Sequence, residues 1–171
     1  MKKLDTKKLV LTALFTALVM VATLIIRIPL PFGYVNLGDA FILIAVFVLG
    51  PVYGSVAAGL GAGCADLFGY ITYAPGTLII KACMAIVAWL VYKALEKVTK
   101  KAVLAQIAGG VCGAIVMAFG YFVYESLLFT TIGVAFLNVP WNLLQGGVGT
   151  ALAVAVMKVL NATKILERIQ K

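Results

Sequence analysis

The chain has 171 residues, 64% of them hydrophobic and 12% charged, where a soluble domain carries about a quarter charged residues. That excludes a water-soluble protein and leaves room for roughly six spans in one membrane domain, 1–171, with no soluble catalytic or nucleotide-binding unit. The net charge of +8 does not point to nucleic acid, because twelve of the fourteen cations fall in three clusters that flank apolar runs, as cytoplasmic ends of a membrane protein do.

Lys2, Lys3, Lys7 and Lys8 form a basic lead. The first helix is expected over 9–28, and with no small-residue cleavage site before the next span it reads as retained rather than as a signal peptide. Ala13 and Ala17 give it a small-xxx-small face, suited to close approach by another helix of the bundle or by a second protein. Pro29 and Pro31 then restrict themselves and their predecessors, which breaks the helix and predicts an outer loop over 28–36.

A second helix over 38–50 is about 20 Å long. That is short for a hydrocarbon core of about 30 Å unless the helix is tilted or shielded by protein. Gly50-Pro51 marks a tight connection, and a third helix runs to 68 with glycines at 54, 59, 61 and 63. No strand precedes its Gly-Leu-Gly-Ala-Gly and no Gly-Lys-Ser/Thr follows it, so helix packing explains the glycines better than nucleotide binding.

An uncharged, aromatic-rich outer loop over 69–76 leads to a fourth helix over 77–95 and a basic inner loop with Lys93, Lys97, Lys100 and Lys101. A fifth helix is expected over 105–130, a short outer loop to 138, and a sixth helix over 139–160 with a basic tail of Lys158, Lys164, Arg168 and Lys171. The fold class is therefore an all-α integral membrane protein, a six-transmembrane-helix bundle with both termini cytoplasmic.

Cys64, Cys83 and Cys112 fall in separate apolar runs without metal-ligand spacing, and read as buried small hydrophobes. The chain has no histidine, so Ser126 has no imidazole to activate it. Asp39 and Asp66 carry no aspartyl-protease motif around them. No catalytic residue, metal site or cofactor is expected.

The polar residues are more telling. A charge at bilayer depth costs about 2.5–3.5 kcal/mol on insertion scales, so such a group faces a polar cavity or a partner. On the expected topology, Asn36, Asp39, Asp66, Lys81, Tyr121, Glu125, Trp141, Asn142 and Gln145 gather at the outer half of the bundle, with Thr77, Tyr124 and Asn138 near them. The inner half carries no obvious polar side chain. For a single residue, a structural pairing of Lys81 with Asp66 or Glu125 accounts for it as well, and Asp39 is also placed to cap the second helix. For the whole set, three acids against one base leave negative charge that calls for water or a ligand. Aromatic walls with a few placed polar groups suit a small planar solute.

The pieces Asn-Leu-Gly-Asp (36–39), Leu-Gly-Pro-x-x-Gly (49–54) and Tyr-Ala-Pro-x-Thr-x-x-x-Lys (73–81), together with Ala13-xxx-Ala17, resemble the substrate-binding S components of energy-coupling factor (ECF) vitamin transporters over essentially the whole chain. The stretch 35–85 looks most like the branch associated with hydroxymethylpyrimidine or pyridoxine uptake. The resemblance implies a vitamin-binding subunit in a prokaryotic plasma membrane. Such a subunit docks through Ala13 and Ala17 on a transmembrane coupling protein driven by two cytoplasmic ATPases. It also implies that the loops at 28–36 and 69–76 close over the ligand. The rival is a self-sufficient homo-oligomeric secondary carrier or channel, since six helices are half a common transporter and buried acids can relay protons.

Overall fold

The computed structural model describes residues 5–29, 34–128, 132–164 and 166. The expected break at Pro31, the cations Lys2, Lys3, Arg168 and Lys171, and the last two residues assigned to the fifth helix lie outside them. Six helices follow in order: α1 (Thr6–Ile25), α2 (Gly38–Leu49), α3 (Pro51–Asp66), α4 (Ala74–Thr99), α5 (Ala102–Leu128) and α6 (Ile132–Ala162). α1, α4, α5 and α6 are long and apolar enough to cross a membrane.

Local chemistry sets the ends. Asp5 caps α1, its Oδ1 accepting the Lys8 backbone N–H at 3.3 Å. Gly50 takes φ +84, open to glycine without a Cβ penalty, and Pro51 starts α3 with the fixed φ a first helical residue needs. α4 ends on Lys100 in the left-handed region, its N–H returning to the Glu96 carbonyl.

α2 is the shielded helix. It packs against α1, α3, α4 and α6, and every one of its residues except Phe41 is buried. That explains how 12 residues suffice where lipid would demand about 20. Around it α1 packs on α3, α3 on α4, α4 on α5 and α5 on α6, while α2 closes the gap between α6 and α1. Small residues allow these approaches. A Cβ on Gly61 would meet the Thr16 carbonyl oxygen of α1 at 2.7 Å, so Gly61→Val should wedge α1 from α3. Overpacking of this kind costs about 1–3 kcal/mol, and a lowered melting temperature of the purified protein would register it.

Two expectations are corrected here. The segment after α1 is not simply a loop: β1 (Arg27–Pro29) and β2 (Tyr34–Asn36) pair antiparallel, Arg27 opposite Asn36, because a proline at a strand end loses no ladder bond that matters. The sixth helix begins at Ile132 rather than 139, with Pro140 inside it. Proline at 140 removes one helical hydrogen bond but does not end the helix, whose Ala135 and Asn138 are buried on the bundle side.

Candidate functional site

The N-terminal end of α2 is the anchor. Asn36, at the end of β2, turns the chain into α2 by accepting the Gly38 N–H on its side-chain oxygen at 2.8 Å. That role had been open to Asp39, which instead points into the bundle. One Asp39 oxygen takes the Lys81 ammonium of α4, and the other takes the Gln145 amide of α6 at 2.7 Å. Gln145 in turn accepts the Asn36 backbone N–H at 2.9 Å. Lys81 also contacts the Met117 sulfur of α5. Four helices and the hairpin are thus tied through one network, all of whose side chains are buried. Gly149 of α6 makes room for it, since a Cβ there would lie 2.9 Å from that of Asp39.

Above this floor lies a small hollow of about 40 Å³. α1 and the hairpin line it with Thr23, Tyr34 and Asn36, and α3 with Ala62 and Asp66. Tyr73, Thr77 and Lys81 come from the start of α4, Tyr121 and Glu125 from α5, and Asn138 and Asn142 from α6. The Tyr34 hydroxyl donates to Asp66, and burial with that neighbouring carboxylate pushes the phenol well above its ordinary pKa, so it stays protonated. Tyr121 and Thr77 share a hydrogen bond at 3.0 Å, and Asn138 donates to Glu125 at 3.0 Å. Tyr34, Tyr70, Tyr73 and Tyr124 run ring to ring along the rim, with centroid spacings of 4.6 to 6.3 Å. Arg27 pins the rim: it bonds the Ala65 and Phe68 carbonyls at the end of α3 and lies over the Tyr34 ring at 4.6 Å.

Of the nine residues singled out in the sequence, Asn36, Asp66, Lys81, Tyr121, Glu125 and Asn142 line this hollow. Asp39 and Gln145 sit in the floor behind Lys81. Trp141 does not line the hollow. It is 46% exposed and sits with Ile26, Ile28, Leu144 and Val148 in an apolar groove on the outside of the bundle, because one residue along a helix turns the side chain by about 100° from Asn142. Tyr34, Tyr73 and Thr23 are lining residues that the sequence did not single out. Thr23 had a signal, a hydroxyl in an apolar run four residues before Arg27.

The expectation of an inner half without polar groups is corrected too. At the opposite end of the bundle, Lys8, Tyr92, Lys93, Glu96, Gln106 and Asn161 line a second hollow beneath the C-terminal end of α2. Gln106 is buried within a run of alanines and glycines, so apolar neighbours hid it in the sequence.

A model of the family described as the ECF-type riboflavin transporter S component matches residues 3–170. An uncharacterized protein of the gap 3′ region of Pyrococcus woesei is 35% identical over 105 residues, which cover 60% of this chain and 68% of that one. A solved structure, described as the structure and mechanism of the S component of a bacterial ECF transporter, matches with a TM-score of 0.70 over 92% of this chain and 97% of that one. At 22% identity that last likeness bears on the fold alone.

Proposed function

The chain belongs to the family of ECF-type riboflavin transporter S components, which makes it a membrane-embedded transport component and not an enzyme, and on that premise we propose that the hollow above Lys81 is its vitamin site. The carrying observation is the gathering of carboxylates, amides and phenol rings from α3, α5, α6, the start of α4 and the hairpin around one cavity at one end of the bundle. Rings supply apolar contact, and the few polar groups fix orientation. Asn36, Asp66, Tyr121, Glu125 and Asn142 touch the solute, with Thr77, Tyr34 and Tyr73 beside them. Lys81 offers its remaining N–H, while Asp39 and Gln145 hold it in place. Trp141 has no part in this.

The cavity end faces outward. Every cation among the described residues except Arg27 and Lys81 lies toward the other end, at the start of α1, around the α4–α5 turn or at the end of α6, which supports a cytoplasmic location for that end and for both termini. The solute is then taken from outside and handed inward with a transmembrane coupling protein and two cytoplasmic ATPases, for which this chain carries no Walker motif of its own.

The stretch 35–85 favours a single-ring vitamin, pyridoxine or a hydroxymethylpyrimidine. The family description favours riboflavin. Titrating the purified protein with all three decides between them, and mass spectrometry of any co-purifying small molecule provides an independent check. Asn142→Ala is expected to weaken binding of the preferred vitamin about tenfold, the equivalent of one hydrogen bond of about 1.4 kcal/mol. Unchanged affinity would remove Asn142 from the site.

A further inference from the structure

We propose that the vitamin is bound as a monocation, its positive charge held between the Asp66 and Glu125 carboxylates. This rests on the reading of the hollow as the vitamin site and adds the solute's charge to it. Among the described residues, the cavity end of the bundle carries three acids, Asp39, Asp66 and Glu125, and two cations, Arg27 and Lys81, a formal excess of one negative charge.

Neither cation is poised to meet an anionic solute. The Lys81 ammonium is bonded to Asp39 and to the Met117 sulfur, so it presents to the cavity a donor whose charge is already answered from behind. Arg27 directs its N–H groups to the backbone carbonyls of Thr23, Ala65 and Phe68 and lies over the rings of Tyr34 and Tyr70, outside the lining. Asp66, on α3, and Glu125, on α5, reach the hollow from either side of α4, which packs between those two helices. A solute lying across the mouth of α4 therefore meets a carboxylate at each end.

The rings point the same way. Tyr34, Tyr73 and Tyr121 line the hollow, and aromatic faces attract cations through their quadrupoles, more strongly where water is excluded. Burying net charge in low-dielectric surroundings is costly unless an opposite charge accompanies it. A cationic ring removes the excess. With a neutral ring, one of the two carboxylates has to take up a proton instead. Pyridine and aminopyrimidine rings acquire one positive charge by taking a ring proton, and a thiazolium ring carries one permanently. The neutral isoalloxazine of riboflavin does not fit this balance.

The test is isothermal titration of the full chain in lipid nanodiscs at constant salt. Thiamine serves as the probe with a fixed cationic ring, riboflavin as the neutral probe, and 1-methylnicotinamide against nicotinamide as a matched cationic and neutral pair. The expected result is at least tenfold tighter binding of the cationic member of each pair. Glu125→Gln should lower the affinity for the cation at least tenfold while moving that for the neutral partner less than threefold. Asp66→Asn is the second variant, and each is compared with the parent only where it elutes as a single species and melts within a few degrees of it. Equal or tighter binding of the neutral members overturns the proposal and leaves the vitamin site standing. So does a cation affinity that Glu125→Gln does not change. Failure of every ring, including pyridoxine and hydroxymethylpyrimidine, to bind would instead overturn the vitamin site itself.

Discussion

Replacing Lys81 by methionine is expected to destabilise the protein by about 3–5 kcal/mol, the usual consequence of removing one partner from a buried ion pair. Lys81 and Asp39 are 2% and 0% exposed, so no solvent can reach the carboxylate once the ammonium is gone. The loss reaches beyond the pair, because Asp39 also receives Gln145, and Gln145 holds the backbone of Asn36 at the entrance to α2. For a chain of this length, the melting temperature should fall by about 10 °C. Lys81→Met combined with Asp39→Asn is expected to recover most of the loss: the asparagine carbonyl still accepts from Gln145, the buried charge is gone, and methionine fills the lysine stem's volume beside Met117. The double-mutant cycle read by thermal melting isolates the pair. A single variant melting within about 2 °C of the parent would show that water reaches Asp39 and that the floor of the hollow is not sealed.

The same pair shows how far the sequence could be read. Charge among apolar residues announced that Asp39, Asp66, Lys81 and Glu125 face the interior, and helical spacing gathered most of them at one end. Which acid meets the lysine was not legible. Asp66 and Glu125 were the expected partners and Asp39 a possible cap, whereas the lysine meets Asp39, because α2 lies inside the ring of helices, a three-dimensional fact. The shortness of α2 hinted at that position, since only a protein-shielded helix can stop at 12 residues. Trp141 shows the limit of spacing arguments: beside Asn142 in sequence, it faces another side of α6. The start of α6 was misplaced because Pro140 resembles a helix opening, and only the burial of Ala135 and Asn138 carries the helix past it. The hairpin was hidden for a similar reason: proline argues against a strand, yet Pro29 stands at the end of one opposite Tyr34.

Substituting tryptophan for both Ala13 and Ala17 is expected to lower ATP-dependent uptake in cells at least tenfold while leaving vitamin binding by the purified protein within about twofold; this follows from what α1 does not do in the bundle. It packs mainly on α2, α3 and the hairpin, and it is the least buried of the four long helices. Its buried stripe is Thr12, Val19 and Thr23, whereas Ala13 and Ala17 lie on the exposed side beside Val10, Leu14 and Val21. Two small residues one turn apart leave a shallow track in which another helix can lie closely. Two indoles would fill that track without entering the bundle. The hollow is touched by α1 only at Thr23, six residues and about 9 Å along the axis from Ala17, so the solute should not sense the change. Loss of uptake with intact binding would place the coupling protein on this face. Undiminished uptake would move the docking surface elsewhere on the bundle, and uptake by the lone chain in vesicles without ATP would remove the need for a coupling protein.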